Sequence, residues 1–293
     1  MTLSVSVVIP AWNSADSIVD CLRSLRGQGH SETIVVDNGS TDDTPSLVHA
    51  HCPEATLLSF KENAGFCRAC NRGIAQSRGE FVLLLNDDAR LEPGYLRHLC
   101  ETLEAHPRAA TAVGKLVTPR AGKIHIDSAG IDLCAHALRP LDRGHGELDR
   151  GQYDEPGSIF GPSAAAALYR RSALAVLEEP PFDEQLFAYY EDVDLAWRLS
   201  RAGWYHRYAP QAMAFHARRG PEDKPQSIRA RAFANRYIVW AKNEAPLRFL
   251  SYAPIALGWE SVRLLKRTFS EREVLAEVPG SLWRVFSILR NRL

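Results

Sequence analysis

Gly79-Glu80-Phe81-Val82-Leu83-Leu84-Leu85-Asn86-Asp87-Asp88-Ala89-Arg90 is the stretch from which the rest of the chain can be read. Five apolar residues in a row, with Arg78-Gly79 before them and an amide and two acids after, have the pattern of a strand covered on both faces, as in parallel sheets. Asp87 and Asp88 then stand at the C-terminal end of that strand. In open α/β sheets ligands bind at this edge, where adjacent carboxylates can offer oxygen to a hard divalent cation and a diphosphate. The same acids also suit a turn before Leu91-Glu92-Pro93-Gly94, since Asx side chains favour turns, and the stretch alone leaves both readings open.

Three further strand-to-helix units precede it. Val5-Ser6-Val7-Val8-Ile9-Pro10 is a β-branched run stopped by proline, and Asn13-Ser14-Ala15-Asp16 offers caps for a helix through Ile18, Leu22 and Leu25. Thr33-Ile34-Val35-Val36-Asp37 is a second strand ending on an acid, and Asn38-Gly39-Ser40-Thr41-Asp42-Asp43 turns into a helix through Leu47 and Val48. Ala55–Phe60 reads as a third strand, Asn63-Ala64-Gly65 as a turn, and Phe66–Ser77 as the helix that leads into the quoted strand. Four βα units within about 100 residues predict an α/β fold, a doubly wound, mostly parallel sheet flanked by helices. No G-x-G-x-x-G follows the first strand, which argues against a dinucleotide-binding dehydrogenase.

Downstream, Tyr95–Ala105 is a helix with Leu96, Leu99 and Leu103 on one side, and Lys115–Val117 a short strand. Thr118–Gly157 is rich in Gly, Asp, Arg and His without periodicity, and reads as a long loop of the functional kind. Ala164–Tyr169 is a close-packed strand or a helix entry. From Glu191 an amphipathic helix turns Val193, Ala196, Trp197 and Leu199 to the core, and the acids in its first turn suit the positive end of the helix dipole. Tyr205–Tyr208 and Ala212–Phe215 supply strand material ending at His216.

With 293 residues the chain can form one large domain plus an appendage, or two small ones. A formal net charge of zero implies no bulk attraction to nucleic acid, yet from Lys224 onward 13 basic residues face 5 acidic ones, which sets the tail apart. The six cysteines lack the spacing of a disulfide framework. Cys67-x-x-Cys70, with His49, His51 and Cys52 upstream, has zinc-like or redox-like spacing, but it lies within a helix and has no second CxxC, so buried free thiols are expected. No signal-like apolar region follows Met1 and no apolar run reaches roughly 18 residues, so the expectation is a cytoplasmic protein without a spanning helix.

Taken together, Val7-Val8-Ile9-Pro10-Ala11-Trp12-Asn13, Val35-Val36-Asp37-Asn38-Gly39-Ser40-Thr41-Asp42, Asn63-Ala64-Gly65-Phe66 with Asn71-Arg72-Gly73, Leu84-Leu85-Asn86-Asp87-Asp88, Tyr190-Glu191-Asp192-Val193-Asp194 and His216 form an ordered set. On these residues the chain resembles glycosyltransferase family 2, of GT-A type, and within it the rhamnosyltransferase-like bacterial members. The resemblance spans residues 5 to about 220. It departs from the family at Trp12, where tyrosine is usual, and at Asn86, the first position of the family's Asp-x-Asp.

The resemblance implies a GT-A catalytic domain over 1–220, with a nucleotide-binding half to about 105 and an acceptor half beyond, followed by a tail over 221–293. It implies an inverting, metal-dependent transfer of a sugar, rhamnose among the candidates, from a dTDP- or UDP-sugar to a surface polysaccharide or lipid-linked glycan. Asp37, with Pro10, Ala11 and Trp12, would hold the nucleobase, a carboxylate accepting from an imide N–H beside an apolar ring. Asn63 and Gly65 would line the approach of ribose and diphosphate. Asp88, with Asp87 and His216, would bind Mn2+ or Mg2+, the imidazole leaning toward Mn2+. One general base suffices for a single displacement. Asp192 is the choice for it and Glu191 the neighbour to distinguish, since on a helix the two point about 100° apart; Asp194 faces a third way as a structural or supporting residue.

The tail alternates basic and bulky residues, Arg229, Arg231, Phe233, Arg236, Tyr237 and Trp240, then Leu264-Leu265-Lys266-Arg267, then Trp283, Arg284, Phe286, Ile288, Leu289, Arg290 and Arg292. Such helices either lie on the anionic cytoplasmic face of a bilayer or pack on the domain with their basic faces solvated. Two other functions compete with the transferase. A nucleotidyltransferase would need a basic, glycine-rich loop where Pro10-Ala11-Trp12-Asn13-Ser14 stands, and a non-catalytic glycan- or membrane-binding protein would not need Asp37, Asp88 and Asp192 intact.

Overall fold

The computed structural model describes residues 4–134, 139–218, 226–252, 254, 255, 258 and 272–292. Strands β1 (Val5–Ala11), β2 (Glu32–Asp37), β3 (Thr56–Ser59) and β4 (Phe81–Leu85) run parallel, with Val8 opposite Leu84 on one side and Ile34 on the other. Side chains alternate across a strand, so the run Phe81–Leu85 serves two cores at once. Leu83 and Leu85 join Val7 and Ile9 beneath α1 (Ile18–Ser24), α2 (Thr44–His51) and α4 (Tyr95–Ala105), while Val82 and Leu84 join Val8 and Val36 beneath α3 (Phe66–Gln76). Every one of these strand residues is at most 4 % exposed, a burial that stabilises by roughly 2 kcal/mol per side chain. Helix α3 lies so close to β1 that a Cβ on Gly73 would come within 2.2 Å of Val8 Cγ1.

The second half of the sheet inserts one strand of opposite sense. β11 (Ala166–Arg170) runs antiparallel between β4 and β6 (Ala109–Arg120), and β12 (Tyr205–His216) then pairs parallel with β6. With β10 (Gly157–Ile159) at the edge the order is β10-β12-β6-β11-β4-β1-β2-β3, a mixed but mostly parallel sheet between helical layers. The short β5 (Ala89–Leu91) follows the acids of the quoted stretch and pairs with the end of β12. Where β12 passes Gly114 the register shifts, and a Cβ there would sit 2.0 Å from Ala212 O, so the crossing requires glycine.

Two expectations change. Lys115–Val117 is the middle of a 12-residue strand, and Thr118–Gly157 is not structureless. It holds β7 (Lys123–Ser128), joined to β6 by a two-residue turn at Ala121 and Gly122, then a hairpin of β8 (Ile131–Cys134) and β9 (Arg139–Asp142). Both turn residues have positive φ, 49° and 73°, the conformation that fits a two-residue hairpin. Alanine in that role gives no turn signal. The alternative left open for Ala164–Tyr169 resolves as a strand.

After α5 (Arg171–Leu174) come α6 (Glu191–Arg201), α7 (Gln226–Asn243) and α8 (Arg272–Arg292). Helix α7 packs into the core, with Trp240 1 % exposed and set edge-on to Trp197 at 4.9 Å between ring centroids. This helix therefore packs on the domain, though Arg236 is buried with Trp240 and not solvated. Val285 and Leu289 of α8 are also buried, and Arg292 Nη1 donates to Glu244 O at 2.7 Å. Leu264-Leu265-Lys266-Arg267 lies outside the described residues. All six cysteines are free, and five are buried, among them Cys67 and Cys70 on α3.

Candidate active site

β1, β2, β4 and β12 end at one edge of the sheet, and β11 begins there because it runs the other way. A cleft of about 350 Å³ opens along that edge. Pro10, Ala11, Trp12, Asn38, Asn63 and Phe66 line one end of it, Asn86, Asp87, Asp88 and His216 the floor, and Ser163–Ala165, Glu191, Asp192 and Arg218 the other end. The topology thus brings together residues scattered over 200 positions of sequence.

At the first end, Trp12 stays 39 % exposed while its backbone N–H donates to Asp87 Oδ2 at 3.2 Å, and the Ser14 hydroxyl donates to the same oxygen. Asp87 therefore ties the loop after β1 to the loop after β4. Asn63 Oδ1 accepts from Asn38 Nδ2 (3.1 Å) and from the Gly65 N–H (3.0 Å). Asp37 and Gly65 are not on the cleft wall but shape it from behind. Asp37, 4 % exposed, accepts from the Ser40 N–H at 3.0 Å, and Gly65, with φ of 94°, leaves room that a Cβ would take from the Phe187 ring 2.7 Å away.

On the floor, Asp88 Oδ1 lies 3.2 Å from His216 Nε2, and His216 Nδ1 donates to Asp127 Oδ2 at 2.8 Å. Asp127 fixes the imidazole so that Nε2 faces Asp88, the arrangement by which a carboxylate behind a histidine orients it toward a cation. Burial disfavours charge on His216, but hydrogen bonds to Asp127 and Asp88 outweigh it and push its pKa up to about 9. Burial likewise opposes charge on Asp127, yet His145, His216 and Arg218 hold its carboxyl far below the usual range. Among the described residues no three His, Cys, Asp or Glu side chains form a ready-made metal cage. The donors fit a divalent cation nonetheless, which would take the place of the proton that His216 Nε2 shares with Asp88. Asp88 and His216 converge, and beside them Asn86 Oδ1 is buried without a hydrogen-bond partner among the described residues.

At the far end, Asp192 Oδ2 accepts from the Ala164 N–H (3.3 Å) and Oδ1 from the Val193 N–H (2.8 Å). Burial raises its pKa, the Asp142 carboxylate raises it further, and the result is about 6. A carboxylate tuned upward in this way suits proton abstraction near neutral pH. Glu191 also borders the cleft, so the 100° separation does not by itself choose between the two; but Glu191 is buried and its charge bears on the thiols of Cys67 and Cys70 on α3. Asp194 is wholly buried, bound by Arg198 Nε (2.8 Å) and Asn243 Nδ2 (2.8 Å), and it fastens α6 to α7.

Sequence reasoning missed Asp127, Asp142 and Arg218. Arg218 Nη1 donates to Asp127 Oδ1 (3.1 Å) and Nη2 to Asp142 Oδ2 (2.9 Å), so one guanidinium links the hairpin β8–β9 to the strand that carries His216. Arg218 stands two residues after His216, and that alternation could have marked it. The two aspartates lie in the segment read as a loop and had no such signal. The loop before α6 is also unusual, since Phe187, Tyr189 and Tyr190 have φ of 63°, 72° and 67°. For residues with a Cβ this costs on the order of 1 kcal/mol each, and such strain gathers at functional sites.

Comparison with known proteins agrees with this geometry. The sequence model of glycosyl transferase family 2 matches residues 6–177. N-acetylglucosaminyl-diphospho-decaprenol L-rhamnosyltransferase of Mycobacterium tuberculosis (strain H37Rv) is 31 % identical over 267 residues, 80 % of this chain and 84 % of that protein. Pre-mycofactocin glycosyltransferase of the same strain is 32 % identical over 224 residues, 73 % of this chain but 43 % of that protein. In fold, the mannosyltransferase PcManGT of Pyrobaculum calidifontis, solved with GDP-Man and Mn2+, superposes with a TM-score of 0.58 at 18 % identity, over 97 % of this chain and 88 % of that one. GalNAc-T7, solved with UDP, GalNAc and Mn2+, gives a TM-score of 0.63 at 14 % identity over 82 % of this chain and 49 % of that one. With the ordered motifs, the sheet topology and these likenesses in agreement, the chain belongs to glycosyl transferase family 2 and is a glycosyltransferase of GT-A fold, similar to rhamnosyltransferases.

Proposed function

We propose that the protein is an inverting, divalent-metal-dependent transferase that moves a sugar, rhamnose by likeness to its mycobacterial relative, from a dTDP- or UDP-linked donor to a polysaccharide or lipid-linked glycan. The observation that carries this reading is the cleft itself, with the Asp88–His216 pair on its floor and Asp192, tuned to about 6, at its far end. The exposed Trp12 ring offers a stacking face to the base, and Asn63 borders its place, with Asp37 behind the wall. Asp88 and His216, with Asp87 beside them, would hold Mn2+ or Mg2+, which when bound offsets charge gathering on the departing diphosphate. Asp192 takes the proton from the acceptor hydroxyl, and the Ala164 and Val193 amides hold its carboxylate in place for that transfer. The relative whose name states a decaprenol-linked acceptor favours an acceptor of that class here.

Calorimetry with UDP, dTDP and GDP, each with and without Mn2+, tests the site. Tight binding of one nucleotide only when Mn2+ is present is expected; no binding of any of them would overturn the reading.

The same reading places the enzyme peripherally at the cytoplasmic face of a membrane. Among the described residues no helix is long and apolar enough to cross one. On α8, Leu282, Trp283 and Phe286 are 57 %, 68 % and 56 % exposed, with Arg284 and Arg290 exposed beside them. An apolar stripe edged by cations suits an anionic bilayer surface. Replacing Trp283 and Phe286 together by alanine is expected to release the protein from phosphatidylglycerol vesicles while leaving nucleotide binding intact. Undiminished sedimentation with the vesicles would rule out this face as the anchor.

A further inference from the structure

We infer that α7 acts as a brace for the catalytic loop, and that Asn235 is the positioning residue through which it does so. The inference rests on the proposed role of Asp192. Asn235 lies in the middle of α7 and is 4 % exposed. Its Nδ2, with two hydrogens to share, lies within hydrogen-bonding distance of three carbonyls of one loop, Leu186 O (2.7 Å), Ala188 O (2.9 Å) and Tyr189 O (3.1 Å). That loop contains Phe187, Tyr189 and Tyr190, all in the left-handed region that residues with a Cβ avoid. It borders the cleft through Phe187, Ala188 and Tyr189 and ends at Glu191-Asp192, the first residues of α6.

A strained loop keeps its shape only when its surroundings over-determine it. The left-handed residues that follow them turn these carbonyls inward; Leu186 O also accepts from the Ala188 N–H at 2.7 Å, and a primary amide from another element meets all three. Other contacts support the same segment. Arg231 of α7 stacks its guanidinium 4.7 Å from the centroid of Phe187, the Phe187 carbonyl accepts from the Cys67 N–H at 3.1 Å, and Lys242 pairs with Asp183 just before the loop. Asp192 follows Tyr190 by two residues, so a loop that relaxed to ordinary φ values would re-aim the first turn of α6 and with it the carboxylate. The floor and the Trp12 end of the cleft, built on β1, β2 and β4, would not move.

Asn235→Ala in the full chain tests this. Turnover is expected to fall at least ten-fold while Mn2+-dependent nucleotide affinity stays within about three-fold. Hydrogen exchange should speed up at residues 187–190 and remain slow in β1 and β4. Unchanged turnover would overturn the inference, whether or not exchange at the loop rises. So would exchange that rises throughout the sheet together with lost nucleotide binding, because Asn235 would then be a residue of general stability. If Asn235→Ala does not fold, Asn235→Ser, which keeps a single hydroxyl donor, is measured in the same way. Asp192→Asn is assayed in parallel. Normal transfer by that variant would remove Asp192 as the base, while loop exchange in Asn235→Ala would still report on the brace.

Discussion

Asp192→Asn is expected to lower transfer by roughly 10²–10⁴-fold, the usual contribution of a positioned general base, with nucleotide and metal binding left within a few-fold of the native protein. The amide has the size of the carboxylate and can still accept from the Ala164 or Val193 N–H, so the site should keep its shape and lose only its proton acceptor. Activity of the native protein should depend on pH in a matching way. The raised pKa of about 6 means that the reactive, ionised form fills as pH rises through that value. Transfer at low acceptor concentration should therefore climb between about pH 5 and 7 and level off above, and Asp192→Asn should lose that limb. If Asp192→Asn transfers normally while Glu191→Gln is inactive, the base is Glu191. The burial of Glu191 against α3 argues for the opposite result.

The second large effect is expected at the floor. Asp88→Ala should weaken Mn2+-dependent nucleotide binding by about two orders of magnitude, since changes merely behind a metal ligand already cost ten- to a hundred-fold. Binding measured without metal should change little. The contrast between the two titrations carries the test, because a general loss of structure would reduce both. Unchanged Mn2+-dependent affinity would remove Asp88 from the metal assignment. Asp88 is well placed for such a measurement, facing His216 Nε2 at 3.2 Å while Asp127 holds the ring from behind.

Much of this protein could be read from local pattern. The βα rhythm from Val5 to Leu85 depends on short apolar runs punctuated by Pro10, Gly39 and Gly65, and these signals act within a few residues of one another. The acids at strand ends were legible for the same reason. In a parallel sheet every strand of the same sense delivers its C-terminus to one edge, so Asp37 and Asp87-Asp88 had to lie near each other once the class was known. The second half was harder. The β6–β7 turn uses Ala121 where a hairpin signal would be glycine or asparagine, and β8–β9 shows no clean alternation. Asp127 on β7 and Asp142 on β9 acquire a role only where those strands meet His216 and Arg218, and so could not be singled out.

The tail shows the same division. Its basic and aromatic composition suits a bilayer surface and a domain flank equally, because composition does not say which face of a helix meets the protein. Trp240 and Arg236 are buried in α7, whereas Trp283 and Phe286 of α8 are exposed. By itself, then, the sequence determined the α/β class, the edge at which ligands gather and the acids available there, since periodicity and strand polarity are local properties of the chain. Only the tertiary structure decided which acids share a cleft, that Asp127 stands behind His216 and that Asn235 grips the loop before Asp192. Those relations join residues 40 to 130 positions apart, and packing, not sequence spacing, sets which of them come within hydrogen-bonding distance.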